Sequence, residues 1–589
     1  MKHFYLILFS ISLIHTCTIG GAYDDIGRPY IFKTRYRVDI EHRDKKMYYN
    51  TDGEINFIGN ISVGDDTNET WMGLNEEGLS IVNAWITDNR ELSRNNGRLM
   101  LDVLSQCADL DYFTNTIVSN ITDSYSDLSG IFLLSDNTAH NESQAKILLY
   151  EISMINSEIQ HDTLIYVMPD SFICRSNFFF DYNDSENFGS NSNAKYRYLG
   201  CQEQFSEIAN TNSLTSENIY SNIVRSFRQR NSNDDGTPRY YTVPFENQVQ
   251  SDAGRPYGYI STSYSISRDE NISSVIVRGV VDEDKKLTTI WTQMGNSALG
   301  VPIPLWAIGS IPNEVSGENN FTSSAPLCTA SNSLRDRLYS YPNIVNGSSY
   351  NDSYIDSYQL KNFDNQGIWD LIPDFFAETE SQLNSWMSTP INTSAIEAYQ
   401  NNIATFALND LDNISRIKPP VISQFEVTDI QINNAENHEI ILYDNSLHCP
   451  IFWEWSIPGT DALSNNQNSI LQYNDNFHGT FIIKLEVNDY DGNFNSHYKA
   501  IGCVDSTASN YNSGYNIYEY NGICKFNQET SNDINFDEVV NVLDINVLIS
   551  KILYVYTFIN SYDQNNDLNS DGIVNVSDII FLVDIIINQ

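Results

Sequence analysis

The chain has 589 residues, and 76 acidic against 33 basic residues give a formal charge of −43 at pH 7. That balance excludes the clustered Lys/Arg surface on which binding to nucleic acid rests. Hydrophobic residues at 41 % and aromatics at 12 % exclude a disordered acidic tail, and the length predicts roughly four domains at about 150 residues each.

Lys2 and His3 precede an apolar run from Phe4 to Ile14, suited to a signal-peptide core and too short to span a bilayer. Residues 1–16 therefore read as an export signal, and the protein is expected to be secreted or held at the cell surface. No later run reaches about 18 uncharged apolar residues, so no transmembrane segment is expected. Ile14-His15-Thr16 lacks the small residues of a usual cleavage site, and Cys17 follows directly. Leu13 would suit lipidation of that cysteine; His15 and Thr16 would not.

Residues 17–416 mix strand and helix patterning without an obvious linker. Tyr30–Lys33, Leu79–Trp85, Gly130–Ser135, Ile147–Ile152, Leu164–Met168 and Ser274–Val281 read as strands. Leu99–Cys107, Tyr198–Ile208 and Thr393–Leu408 carry helical spacing. Strands with inserted helices over this length predict an α+β, layered domain.

Within that domain stand Cys17-Thr18-Ile19, Gly27-Arg28-Pro29-Tyr30-Ile31-Phe32-Lys33-Thr34-Arg35, Gly73-Leu74-Asn75-Glu76-Glu77-Gly78-Leu79 and Arg175-Ser176-Asn177-Phe178. Ser274–Gly279 and Trp291–Gly295 follow. This ordered set, over residues 17–310, resembles the N-terminal-nucleophile (Ntn) hydrolases of the choloylglycine hydrolase and penicillin/isopenicillin-N acyltransferase group. The resemblance implies a four-layer αββα domain and an amidohydrolase acting on linear amides, with no cofactor for catalysis. It implies Cys17 as nucleophile, Lys33 and Arg35 near the thiolate, and Asn83 and Asn177 at the oxyanion. Arg197 matches a further family arginine. Where the family has Asp after the basic residues, this chain has Tyr36, and Asp39 lies three positions on.

Elementary chemistry fits that role for Cys17. Once the leader is removed, one residue carries a thiol and a free α-amine, whose ordinary pKa of about 7.7–8.0 suits it to take the thiol proton. The acyl-enzyme would be resolved by water or by an amine acceptor, which leaves hydrolase and acyltransferase both open. An inactive, docked scaffold is a third reading, motivated by Tyr36.

Lys418-Pro419-Pro420 breaks the pattern. Residues 419–501 carry short alternating strands at Ile440–Tyr443, Ile451–Trp455 and Thr480–Asn488, which predict a small β-sandwich. Trp453-Glu454-Trp455 and Gly479–Asp489 resemble a PKD-type, immunoglobulin-like domain. Residues 502–527 resemble a short module of secreted proteins, with Cys503 and Cys524 as its disulfide. With Cys17 free and that pair formed, five of the eight cysteines remain, so at least one more is unpaired.

The last segment, 530–589, carries one pattern twice at a 34-residue offset. Asp533, Asn535, Asp537, Val539, Asn541 and Asp544 occupy positions 1, 3, 5, 7, 9 and 12 of an EF-hand-like loop. Asp567, Asn569, Asp571, Ile573, Asn575 and Asp578 repeat them. Each loop runs into an apolar helix. Two Ca²⁺ ions are expected, and the pair resembles a type I dockerin, which implies a cohesin-type partner. No phosphate loop, zinc spacing or G-x-S-x-G elbow occurs.

Overall fold

The computed structural model describes residues 17–36, 45–63, 69–86, 95–140, 144–178, 192–211, 213–228, 259–262, 264–318, 323–339, 354–360, 367–416, 421–434, 437–446, 450, 452–473, 481–488, 493–501, 532, 534–535, 539–557, 568–569 and 575–588. The export signal, the Lys418-Pro419-Pro420 break and the 502–527 module with Cys503 and Cys524 lie outside these residues. So do Asp533, Asp537, Asp567, Asp571 and Ile573 of the calcium loops. Described residues up to 416 cluster as one compact unit and those from 421 as a second.

In the first unit the strands begin with β1 (Thr18–Tyr23), β2 (Pro29–Tyr36), β3 (Lys45–Asn50), β4 (Phe57–Ser62) and β5 (Met72–Asn75). They continue with β6 (Ser80–Trp85), β7 (Leu128–His140), β8 (Ala145–Ile155), β9 (Glu158–Val167) and β10 (Phe172–Arg175). The rest are β11 (Tyr259–Ser261), β12 (Asn271–Arg278), β13 (Thr289–Met294), β14 (Pro302–Leu305) and β15 (Tyr354–Asp356). Two antiparallel sheets dominate. One has the order β10-β1-β2-β12-β13-β14, the other β3-β4-β5-β6-β7-β8-β9. Strands β1, β2, β12 and β13 are buried along their whole length, because both faces of their sheet are covered.

Three apolar clusters show what covers them. Ile19, Ile31, Val275 and Val277 of the first sheet pack with Val82, Ile131, Leu133 and Leu149 of the second. Outside the second sheet, Leu99, Val103 and Leu104 of the helix Asn96–Gln106 pack on Ile81, Phe132 and Leu148. Outside the first, Cys201, Phe205 and Ile208 of the helix Ser192–Asn210 pack on Ala22, Phe32 and Ile276. The unit is thus layered helix, sheet, sheet, helix, an α+β arrangement. Each of these buried aliphatic or aromatic side chains contributes roughly 1.5–3 kcal/mol.

Gly20 permits the close approach on the outer helical side. A Cβ there would lie 2.7 Å from Phe32 Cε1 and 2.8 Å from Phe205 Cε2, so a side chain at this position would push the helix off the sheet.

Most elements differ in extent from the sequence expectation: the strand expected at Leu164–Met168 is Glu158–Val167, and the helix expected at Tyr198–Ile208 is Ser192–Asn210. The strand expected at Ser274–Val281 is Asn271–Arg278, and the helix expected at Thr393–Leu408 runs to Arg416. Apolar residues continue that helix beyond Leu408, with Leu411 and Ile414 buried in the same cluster as Ala404 and Ala407.

The second unit holds β16 (Phe425–Asn434), β17 (Asn437–Asp444), β18 (Phe452–Ser456), β19 (Leu463–Ser464), β20 (Ser469–Tyr473), β21 (Phe481–Asn488) and β22 (Phe494–Ile501). They form two sheets, β16-β17-β20 and β19-β18-β21-β22. Alternate residues Ile483, Leu485 and Val487 meet Trp453, Trp455, Ile440 and Leu442 in the core between them. Trp453 Nε1 donates to Asp444 Oδ2 at 2.9 Å, which satisfies a buried carboxylate.

The C-terminal segment has two helices, Val542–Thr557 and Val576–Asn588, joined by Ile534, Leu548, Ile552, Leu568 and Leu582. The internal duplication is visible in its hydrogen bonds. Asp544 Oδ1 accepts from the backbone N–H of Ile534 and Asn535, and Oδ2 from Asn541. Asp578 accepts in the same way from Leu568, Asn569 and Asn575. Among the described residues no helix is long and apolar enough to cross a membrane.

Candidate active site

Cys17 immediately precedes β1 and is 6 % exposed. The pairs Thr18 with Thr34 and Ile19 with Lys33 set the register of β1 on β2. Side chains two apart on a strand share a face, so Cys17, Ile19 and Lys33 all point between the two sheets. On the other flank, Ile19 pairs with Arg175 of β10, and continuing that register brings Asn177 opposite Cys17.

The Cys17 backbone nitrogen donates to Asn177 Oδ1 at 2.7 Å across 160 residues of sequence. Asn177 Nδ2 donates to the Trp85 carbonyl at 2.5 Å. Both ends of this amide are therefore engaged, and the geometry makes Asn177 the holder of the Cys17 nitrogen. The Cys17 carbonyl accepts from Ser176 Oγ at 3.1 Å and from Arg197 Nη1 at 3.1 Å. Arg197 also reaches Thr18 Oγ1 and, through Nη2, Asn177 Oδ1, each at 3.3 Å.

Lys33 Nζ donates to Asn83 Oδ1 at 2.5 Å and to the Trp71 carbonyl at 2.7 Å. With Oδ1 occupied, Nδ2 is the end of Asn83 available to donate to a substrate. Lys33 is 1 % exposed. Burial drives its pKa down to about 7; Cys17 opposes that shift and Arg35 adds to it. Arg35 itself lies further along β2, with Nη1 on Asn60 Oδ1 at 2.9 Å and Nη2 on Ser62 Oγ at 2.8 Å. Its guanidinium sits over the Trp71 ring.

The structure thus brings Lys33, Asn83 and Asn177 together around Cys17 and places Arg35 beside them on Asn60 and Ser62. Sequence reasoning missed Ser176, and it gave Arg197 no partner. A signal for Arg197 was present: Cys201 follows it by four residues, and both lie on one face of the helix Ser192–Asn210.

Cys201 forms a disulfide with Cys174, 27 residues earlier. This bond ties the strand that leads into Ser176 and Asn177 to the helix that carries Arg197. Cys17 and Cys107 are buried thiols outside any disulfide among the described residues, and the buried Cys328 sulfur accepts from the Lys45 N–H. Closing a loop of that length stabilises a fold by roughly 3–4 kcal/mol. Cys201→Ser is therefore expected to lower the thermal midpoint by several degrees and to loosen Arg197, measured by calorimetry and by hydrolysis rate at a temperature where the variant is still folded.

The buried charge also fixes a pH dependence. Lys33 is cationic below about 7 and loses its proton above it, so any stabilisation of negative charge that it supplies is present at lower pH and fades as pH rises. A first descending limb near pH 7 is expected in kcat/KM. Lys33→Arg keeps the charge at all accessible pH and should abolish that limb. A wild-type limb in the variant would show that another group is titrating.

Comparison with known protein families and with curated proteins finds no match. Among solved structures, similar chains include the Caenorhabditis elegans ortholog of N-acylethanolamine-hydrolyzing acid amidase, at 10 % identity and a TM-score of 0.26, covering 44 % of this chain and 92 % of that one. A mutant conjugated bile acid hydrolase from Clostridium perfringens is 9 % identical with a TM-score of 0.28, covering 52 % and 94 %. A PKD1 domain of a Vibrio cholerae metalloprotease is 16 % identical with a TM-score of 0.12, covering 15 % and 100 %. Likenesses this slight say nothing about chemistry, which rests on the residues around Cys17.

Proposed function

We propose that the protein is a secreted amidohydrolase that cleaves linear amides through an acyl-enzyme on Cys17, with acyl-amino acids, small peptides or related conjugates as substrates. The observation that carries this is the set of side chains on the Cys17 backbone: Asn177 on its nitrogen, and Ser176 and Arg197 on its carbonyl. These side chains fix where the Cys17 nitrogen lies in a buried site that also holds Lys33 and Asn83.

With residues 1–16 removed, the nitrogen held by Asn177 becomes a free α-amine, poised to accept the thiol proton. The sulfur attacks the amide carbonyl carbon, and the resulting oxyanion is met by Asn83 Nδ2 and by the positive field of Lys33. The C–N bond breaks as the ammonium returns its proton to the leaving amine. Water then attacks the thioester, releasing the acid and restoring the thiol.

The C-terminal segment would attach the protein to a cohesin-type partner. Its described donors are all oxygens, with the Asn535, Asn541, Asn569 and Asn575 side chains, the Val539 carbonyl and the buried carboxylates of Asp544 and Asp578. That donor chemistry fits Ca²⁺. Two Ca²⁺ ions would be held by these residues together with Asp533, Asp537, Asp567, Asp571 and Ile573.

Intact mass of the exported protein tests the reading together with a screen of acyl-amino acids, dipeptides and bile-salt-type conjugates. A mature N-terminus at Cys17 and an acyl adduct on it are expected. A different start, or a thioether lipid at Cys17, would exclude it.

A further inference from the structure

Arg175 is the last residue of β10 that pairs with β1. Ser176 and Asn177, whose side chains hold the Cys17 carbonyl and nitrogen, lie just beyond that ladder. Strand pairing therefore leaves their height relative to the sheet unset. Side chains on the two faces of the strand end set it.

Alternate residues of a strand point to opposite faces. Cys174 faces the outer helical layer, where it bonds to Cys201. Arg175, directly opposite Ile19, faces the space between the two sheets. There it meets Glu151 of β8, which shares a face of the second sheet with Leu149. Arg175 Nε donates to Glu151 Oε1 at 2.6 Å, and Nη1 donates to the Cys174 carbonyl at 2.9 Å. The guanidinium thus grips its own strand and an acid on the opposite sheet at once. His161 Nε2 of β9 lies 3.3 Å from Glu151 Oε2, so both carboxylate oxygens are engaged. Glu151 is 1 % exposed and Arg175 7 %.

A buried ion pair adds little net stability over an apolar pair of similar size, because desolvating both charges offsets their attraction. What it adds is direction. A charge-assisted hydrogen bond fixes a length and an angle across the gap, and apolar contact does not. From Glu151 the contacts run without a break through Arg175 to Ser176 and Asn177, and from these to Cys17.

We propose that Glu151 and Arg175 are positioning residues for the reaction at Cys17. Their ion pair, between the sheets, acts with the Cys174–Cys201 bond on the outer face to set where Ser176 and Asn177 hold the Cys17 main chain. The proposal rests on the reading of Cys17 as the nucleophile.

The test uses the full chain beginning at Cys17 with p-nitrophenyl acetate as probe. Acetyl transfer to the Cys17 sulfur releases p-nitrophenol, which gives the rate, and intact mass gives the adduct. Glu151→Gln alone would leave a buried guanidinium without its acid and destabilise the fold. The informative variant is therefore the double exchange Glu151→Leu with Arg175→Met, which removes both charges. Its thermal midpoint should match or exceed that of the wild type. Its maximal acylation rate should still fall by about 10- to 100-fold, as for a misplaced reacting group, with the half-saturating concentration unchanged. Arg175→Lys keeps the charge but has no planar fork to hold Glu151 and the Cys174 carbonyl in one geometry. It should lose rate in the same way by less, and it decides the matter if the double variant does not fold. A wild-type maximal rate in the deciding variant, or a change confined to the half-saturating concentration, overturns the role of the pair and leaves Cys17 as nucleophile. No adduct in the wild type overturns both.

Discussion

Cys17→Ser, in a chain that begins at residue 17, is expected to lower amide hydrolysis by about 10³-fold or more with little change in KM. The exchange keeps size, burial and the main-chain bonds to Asn177, Ser176 and Arg197, so folding should survive. What it removes is a nucleophile that an amine of pKa near 8 can deprotonate; a serine hydroxyl is far less acidic and gives up its proton only in the transition state. Initial rates with any amide the wild type cleaves, together with intact mass, check it. A variant within tenfold of wild type would remove Cys17 from the mechanism.

Asn177→Leu is expected to lower kcat by about 10²–10³-fold, the order seen when a buried catalytic hydrogen-bonding group is deleted. Leucine matches the shape of asparagine but accepts nothing. Asn177 Oδ1 is the acceptor for the Cys17 nitrogen at 2.7 Å, for Arg197 at 3.3 Å and for Ser176 Oγ at 3.5 Å, so three buried donors lose a partner at once. Each such loss costs about 1–3 kcal/mol, more where the donor is charged. Asn177→Asp gives the contrasting result. A carboxylate beside the α-amine favours its protonated form, so the ascending limb of the pH–rate profile should move up. Equal kcat in wild type and Asn177→Leu would show that the nitrogen needs no holder.

Much of the architecture was legible in the chain because local patterning reports local structure. The strand runs at Tyr30–Lys33 and Gly130–Ser135 fall inside β2 and β7, and the run at Leu79–Trp85 starts one residue before β6. The helical spacing of Leu99–Cys107 falls on the helix Asn96–Gln106. Lys33, Asn83 and Asn177 were singled out together with Cys17 and are brought together around it. Arg35 was singled out with them and is occupied by Asn60 and Ser62, one step further along β2. Strand period places Lys33 and Arg35 on the same face, but it does not say which of them reaches the nucleophile.

Tyr36 shows the limit most plainly. From the chain alone it reads as a missing carboxylate. In the folded protein Glu270, 234 residues away in sequence, meets its hydroxyl, and only the register of β12 on β2 makes them neighbours. The same holds for Arg197, 180 residues from the carbonyl it binds, and for the Cys174–Cys201 bond that secures its helix.

The sequence by itself determined the acidic composition, the duplicated C-terminal pattern and the strand and helix runs that mix through residues 17–416. These follow from composition, periodicity and short spacings, all properties of neighbouring residues. Tertiary structure alone decided what surrounds Cys17 and Tyr36: which amide holds the Cys17 nitrogen, which arginine holds its carbonyl, and which acid meets the Tyr36 hydroxyl. Those contacts span 160 to 234 residues, and they exist because strand register and helix packing bring distant side chains within hydrogen-bond reach in a buried site, where each charge requires a partner.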